Sequence, residues 1–138
     1  MVVVAVLVAG MSSTAHADDL PRRDKVLQLL NQTRRNHDLP TFRLNGELSH
    51  FAWLHSRRMA DRNRLFHTAD LDDAVRPYHP STWGENVGMA GYLTRVRALW
   101  MHNSGHRANI LKARYRRIGI GVVRARGAVW VTAIFYSG

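Results

Sequence analysis

Histidine and glutamate side chains supply the chemistry that this sequence can perform. They stand in three short segments, which read Phe66-His67-Thr68, Trp83-Gly84-Glu85-Asn86-Val87 and Trp100-Met101-His102-Asn103-Ser104-Gly105-His106-Arg107. A glutamate placed between aromatic and glycine residues is expected to be buried, and a buried carboxylate needs a partner for its charge. Histidine is the most suitable partner, and such a pair can bind a metal ion or transfer a proton. The same pair can equally belong to a purely structural network.

The spacing of His102 and His106 bears on a zinc site, because residues four apart lie on one face of a helix. Gly105 stands between them and predicts that the helix ends there. The sequence has no cysteine, no Gly-x-Ser-x-Gly nucleophile motif and no His-Glu-x-x-His zinc helix. Ser104 precedes His106 by only two residues, which seldom lets the side chains face each other. For a hydrolase, a metal-activated water is therefore the more plausible attacking group.

Two helices are predicted in the first half of the chain. The first is expected to begin near residues 18–21, where two aspartates and a proline suit a helix start, and to end near residues 37–40. The second is predicted from the cap Asn45 to about Arg62. Its apolar residues recur at helical spacing, which turns His55 inward. This face comprises Leu48, Phe51, Ala52, His55 and Met59.

The remaining elements follow from local composition. Residues 63–92 contain two Pro and five Gly or Asn, which predict a long irregular stretch of the functional or mobile kind. A third helix is expected from Leu93 to about Asn103, with Val96, Leu99 and Trp100 inside, and a short fourth over residues 105–113. Period-two alternation from Tyr115 predicts two strands joined by a turn at residues 124–127. The predicted class is α+β, with helices packed on a small antiparallel sheet.

Composition limits the classes of protein. A chain of 138 residues is one domain, and the absence of cysteine excludes disulfide frameworks and thiol nucleophiles. The formal net charge is +10, and residues 86–138 hold nine basic side chains and no acidic one. This basic C-terminal part of the chain can dock on anionic lipid or on a phosphate-rich cell-wall polymer. A solvated arginine-rich surface explains the same charge. No recognition motif for nucleic acid is present.

The N-terminal segment reads as a secretory signal peptide. An uncharged apolar run over residues 1–11 is followed by Ala15-His16-Ala17, a small-x-small cleavage motif before Asp18. About eleven apolar residues are too few to span a bilayer, which needs roughly 20. We therefore expect residues 1–17 to be a signal peptide and residues 18–138 to be a secreted, disulfide-free domain without a transmembrane segment. The alternative is an apolar N-terminal strand.

Six short motifs occur in one order along residues 23–136. They are Asn31-x-x-Arg34, His55-x-x-x-Met59, Phe66-His67, Gly84-Glu85-Asn86-Val87, Trp100-Met101-x-x-Ser104-Gly105-His106-Arg107-x-Asn109-Ile110-Leu111 and Ile118-Gly119-Ile120-Gly121, and a final aromatic strand follows. This order resembles the bacterial branch of the CAP superfamily. Those SCP-like extracellular proteins are related to cysteine-rich secretory, antigen 5 and pathogenesis-related 1 proteins.

The resemblance implies an α-β-α sandwich, secretion and a central cavity lined by two histidines and two acidic residues. Carried onto matching positions, it assigns His67, Glu85 and His106 to the cavity and makes them ligands of a divalent metal such as zinc. Eukaryotic relatives have a glutamate three residues after the helix tryptophan, where this sequence has Asn103. Some relatives bind a divalent metal in the cavity, and others bind sterols or other lipids elsewhere.

Three functions are compatible with these residues. The first is a secreted binding module whose His/Glu cavity holds a divalent cation or a small polar ligand. The second is a metal-assisted hydrolase of peptides or esters. The third is a basic module that docks on anionic lipid or cell-wall polymer. Within the cavity itself, Glu85 can instead serve structure by accepting bonds from a histidine and from backbone amides.

Overall fold

The computed structural model describes the backbone of residues 11–138 and the side chains of residues 15–138. The helices are α1 (Met11–Arg35), α2 (Gly46–Asp61), α3 (Leu71–Val75), α4 (Leu93–His102) and α5 (Ser104–Leu111), with a 3-10 turn at Arg76–Tyr78. The strands are β1 (Arg43–Leu44), β2 (Trp83–Ala90), β3 (Tyr115–Ala125) and β4 (Ala128–Ser137).

The strands form one sheet in the order β1-β3-β4-β2. β3 and β4 form the predicted hairpin, and β2 pairs antiparallel with β4 along its whole length. β1 pairs parallel with β3, so the sheet is mixed rather than purely antiparallel. The hairpin turns at Arg126 and Gly127, whose φ angles of 54° and 70° are those of a tight two-residue turn.

Helices cover both faces of the sheet, which confirms the α-β-α sandwich. On one face, side chains of β3 and β4 such as Ile120 and Val131 pack with α1, α4 and α5. On the other face, Trp130 and Ile134 pack with residues of α2. Large side chains fill the interior on both faces, among them Trp53, Trp100, Trp130, Phe135 and Met59.

The main chain of α2 lies directly on β3 because two glycines leave room for it. A β-carbon on Gly121 would stand 2.1 Å from the backbone nitrogen of Trp53. A β-carbon on Gly119 would stand 2.8 Å from the carbonyl carbon of Leu48. Glycine in a strand thus marks a close backbone approach at both positions. Asn45 caps α2 as predicted, since its side chain accepts a hydrogen bond from Leu48 N at 3.0 Å.

The predicted start of α1 is wrong. Within the described residues the helix already runs from Met11 and contains Pro21, and it ends at Arg35. Asp19 holds the turn that precedes the proline, because its buried carboxylate accepts hydrogen bonds from Trp53 Nε1 at 3.0 Å and Arg22 Nη1 at 2.8 Å. This tertiary contact was not visible in the local sequence. The first ten residues of the predicted signal peptide lie outside the described residues.

Arg34 ties α1 to the start of β3. Its fully buried guanidinium donates hydrogen bonds to four backbone carbonyls, those of Pro40, Ile110, Lys112 and Tyr115. Burial, and then the nearby charge of Arg116, lower the pKa of Arg34 to about 10. The side chain thus remains charged at neutral pH and helps to satisfy buried main-chain carbonyls at the end of α5 and the start of β3.

The stretch over residues 63–92 is more regular than predicted. It contains α3, the 3-10 turn and the eight-residue strand β2. β2 shows no alternation of apolar and polar residues because Glu85 and Asn86, on opposite faces, are both buried. Leu99 was predicted to lie inside, yet it is 43% exposed, while Val96 and Trp100 are buried as expected. No helix of the described residues has the length and apolar character needed to cross a membrane.

Candidate functional site

A buried carboxylate organises the site. Glu85 lies on β2, and its side chain is 2% exposed. Its Oε1 accepts hydrogen bonds from His67 Nδ1 at 2.7 Å and from the Thr68 backbone nitrogen at 2.9 Å. Its Oε2 accepts one from Thr68 Oγ1 at 2.5 Å. Three donors from two consecutive residues therefore satisfy the buried charge and attach the loop after α2 to the sheet.

The bond to Glu85 fixes the tautomer of His67. A carboxylate can only accept hydrogen bonds, so Nδ1 of His67 carries the hydrogen. In the neutral ring Nε2 is then an unprotonated acceptor. The His67 side chain is 63% exposed, which gives ligands in solvent access to the imidazole. This is the arrangement in which a histidine held through one nitrogen binds a metal ion through the other.

His106 lies beside this pair at the start of α5. Burial, and then the nearby charge of His67, lower the pKa of the His106 ring. The ring is therefore neutral at pH 7, when its nitrogens can act as ligands. Within the described part of the chain, neither ring nitrogen makes a hydrogen bond.

Asn103, the fourth predicted cavity residue, serves as a helix cap. Its Oδ1 accepts a hydrogen bond from the His106 backbone nitrogen at 3.0 Å. It stands between α4 and α5 and ends the first as it begins the second. His102 and His106 thus belong to different helices, as predicted, but the break lies at Asn103 and Gly105 is inside α5. The cap sets the orientation of the turn that carries His106.

Two asparagines that we did not single out connect the site to α5. Asn86 is fully buried, and its Nδ2 donates to the His106 carbonyl at 3.0 Å. Asn109 Nδ2 donates to Asn86 Oδ1 at 2.9 Å. Thr68 was missed as well, although its place directly after His67 and its hydroxyl group made it a candidate donor. Asn86 and Asn109 together hold α5 against β2.

The structure places only two of the three predicted ligands in direct contact. His67 and Glu85 form a pair, and His106 lies close enough for His67 to influence its pKa. In residues 15–138, however, no three His, Asp or Glu side chains gather closely enough to hold a metal ion. Both oxygens of Glu85 already accept hydrogen bonds. The imidazole rings of His67 and His106 are accessible to solvent, and the carboxylate of Glu85 accepts a hydrogen bond from His67.

The other predicted histidine lies in the core. His55 is 2% exposed, and its Nε2 lies 2.7 Å from the Phe66 carbonyl oxygen. This contact confirms the predicted inward orientation and fixes the loop just before His67. No serine or threonine hydroxyl in the described residues hydrogen-bonds to a histidine ring.

Comparison with known sequences identifies a protein family and a relative that this chain matches. The sequence model of the cysteine-rich secretory protein family, CAP, matches residues 27–135. The uncharacterized protein YkwD of Bacillus subtilis (strain 168) is 32% identical over 114 residues. That match covers 77% of this chain and 44% of YkwD, so this chain spans less than half the length of that relative.

Solved structures share the fold. An extracellular protein of Bacillus anthracis that contains an SCP domain superposes with a TM-score of 0.72 at 23% identity, over 98% of this chain and 45% of that one. NaASP2, whose crystal structure was determined with Zn²⁺, superposes with a TM-score of 0.62 at 13% identity, over 95% of this chain and 83% of that one. These identities are low, and the likeness is one of fold.

Proposed function

Because the chain belongs to the cysteine-rich secretory protein (CAP) family, we propose that it acts outside the cell as a binding module in which His67 and His106 hold a divalent cation such as zinc. The observation that carries this proposal is the hydrogen bond from His67 Nδ1 to Glu85. It leaves one imidazole nitrogen exposed, unprotonated and fixed in direction. Glu85 acts as a positioning residue.

These side chains fit zinc if the two histidines are the ligands and Glu85 keeps its hydrogen bond to Nδ1 of His67. Neutral imidazole nitrogens are common zinc ligands, and the second nitrogen of such a histidine usually donates to a carboxylate. As a direct ligand Glu85 would have to give up bonds from Thr68 in a buried position, which costs free energy. His67 and His106 would hold the ion, and the bound ion would supply Lewis acidity and open positions for water or a small polar ligand.

Two features support an extracellular location. The sequence begins with a segment of signal-peptide character that ends in a small-x-small motif before Asp18. The structural neighbours include an extracellular protein of B. anthracis.

A calorimetric zinc titration at pH 7.5 tests the cation site. Wild-type protein should bind one equivalent, and the His67→Ala/His106→Ala double variant should lose binding. Glu85→Gln should bind about 10- to 100-fold more weakly, the usual effect of removing a partner behind a ligating histidine. His50→Ala is the matched control, because His50 is exposed on α2 and makes no contact with Glu85.

The titration separates the cation site from a purely structural role of Glu85. Zinc binding that survives in the double variant, or no binding by the wild type, would show that the His67–Glu85 pair only fastens the loop to the sheet. Circular dichroism of each variant establishes that it is folded before its titration is interpreted.

A further inference from the structure

Three arginines meet at the end of the sheet opposite the hairpin turn. A groove of about 560 Å³ lies there, and Arg43, Arg116 and Arg117 line it with Tyr78 and Tyr136. Within residues 15–138, the side chain of none of these arginines makes an ion pair or a hydrogen bond. We call this feature the arginine groove. It is separate from His67, Glu85 and His106, none of which lines it.

The sheet itself forces the arginines together. Arg43 of β1 is the direct cross-strand partner of Arg117 of β3, a pairing of like charges that destabilises a sheet when nothing neutralises it. A β-bulge between Tyr115 and Arg117 leaves Arg116 without a cross-strand partner. Bulges re-aim side chains, and here both consecutive arginines line the same groove. A bound anion would relieve the repulsion between Arg43 and Arg117.

Two stacked tyrosine rings form part of the wall of the arginine groove. The rings of Tyr78 and Tyr136 stack with centroids 5.2 Å apart. The main chain at Gly138 lies against the stem of Arg117, since a β-carbon on that glycine would stand 2.6 Å from Arg117 Cγ. Arginine forks bind phosphate oxygens in pairs, and a flat tyrosine face packs against the carbon skeleton of a sugar or polyol.

A second groove extends the first. It has a volume of about 590 Å³, shares Tyr78, Arg116 and Gly138 with the arginine groove and adds Arg114. A continuous trough with four arginines fits a chain that carries repeated anionic groups better than a single small anion. None of the large exposed apolar side chains of the described residues, such as Tyr92 or Leu65, lines either groove. Nothing in the trough is therefore suited to insertion into a bilayer.

We propose that the arginine groove and the second groove beside it bind a soluble phosphodiester polymer of the polyol phosphate type. Arg43, Arg116 and Arg117 of the arginine groove and Arg114 of the second groove hold successive phosphates. The carbon skeleton between phosphates lies on Tyr78. This site is independent of the proposed cation site, and the two can fail or succeed separately.

Fluorescence anisotropy with a labelled oligo(glycerol phosphate) tests the proposal. The protein carries any tag at its N-terminus, because Gly138 borders the groove. Wild type should bind in 50 mM salt. It should bind at least about 10-fold more weakly in 300 mM salt, because salt screens the attraction between the arginines and the phosphates. Arg43→Gln/Arg117→Gln should weaken binding at least about 10-fold. The variant should fold, because the substitution removes a like-charge pair.

Arg95→Gln/Arg124→Gln is the matched control, because it removes two exposed cations of α4 and β3 that lie outside both grooves. It should change the dissociation constant less than about 2-fold. His67→Ala/His106→Ala should bind the polymer like wild type. Equal weakening by both arginine pairs, or no binding by wild type, would overturn the proposal.

Two further probes identify the source of the phosphate. Vesicles of phosphatidylglycerol and single-stranded DNA are offered at the same phosphate concentration as the polymer. The account predicts weaker binding to both, because the trough lacks an apolar face for a bilayer and an exposed aromatic ladder for bases. Tighter binding to either probe than to oligo(glycerol phosphate) would overturn the assignment to a polyol phosphate polymer.

Discussion

His67 Nδ1 donates a hydrogen bond over 2.7 Å to Oε1 of Glu85, and this bond joins an exposed imidazole to a carboxylate that is 2% exposed. The carboxylate is held in turn by the backbone nitrogen and hydroxyl of Thr68. The pair therefore has a rigid side that faces the sheet and an open side that faces solvent. Both the structural role and the proposed cation site depend on this division.

Thr68→Val should destabilise the protein. The substitution keeps the shape of the side chain but removes the donor to Glu85 Oε2, which leaves a buried carboxylate oxygen without that partner. The free energy of unfolding should fall by about 1–3 kcal/mol, measured by urea denaturation. Thr41→Val is the control, since Thr41 is exposed and its hydroxyl makes no hydrogen bond in the described residues. Equal losses in both variants would contradict the account.

Gly121→Ala should prevent or strongly weaken folding. Its new β-carbon would stand 2.1 Å from Trp53 N and 2.2 Å from the Ala52 carbonyl carbon, and backbone atoms of a packed helix cannot move aside easily. We expect a loss of more than about 3 kcal/mol in the free energy of unfolding. Gly46→Ala meets nothing within 4 Å and should change stability by less than about 1 kcal/mol. Similar unfolding midpoints for the two variants would show that α2 does not lie against β3 as described.

His106 should make stability depend on pH. Burial and the charge of His67 lower its pKa from the ordinary 6.5, so the folded chain protonates this ring at a lower pH than the unfolded chain does. Between those two pH values the unfolded state binds more protons. The free energy of unfolding therefore falls as the pH falls through 6.5 and toward the lowered pKa.

Urea denaturation of wild type and His106→Gln at pH 7.5, 6.5 and 5.5 measures this contribution. The variant should lose less stability than wild type over this range. Parallel pH profiles for the two proteins would contradict the assigned direction of the His106 shift.

The sequence predicted the elements that carry local signals. Asn45 correctly predicted the start of α2, because a helix cap acts within a few residues. β2 was missed because Glu85 and Asn86 are polar and both buried, so hydrophobic alternation is absent. The start of α1 was placed too late because the contact between Asp19 and Trp53 joins residues 34 apart in sequence.

The sequence named the residues of the candidate site without their geometry. The resemblance to a family pointed to His67, Glu85 and His106, and the structure pairs the first two. Spacing could not show that both oxygens of Glu85 accept hydrogen bonds from His67 and Thr68. The arginine groove was hidden as well, because the pairing of Arg43 with Arg117 and the bulge at Arg116 arise only when the sheet forms.

Side-chain nitrogen NMR of the histidine rings at pH 7.5, before and after one equivalent of zinc, tests the central claim most directly. If Glu85 orients His67 toward a bound cation, neutral His67 carries its hydrogen on Nδ1, and zinc shifts the signals of Nε2 of His67 and of one ring nitrogen of His106. Glu85→Gln should loosen the tautomer preference of His67. A His67 hydrogen on Nε2, or histidine signals that zinc leaves unchanged, would contradict it.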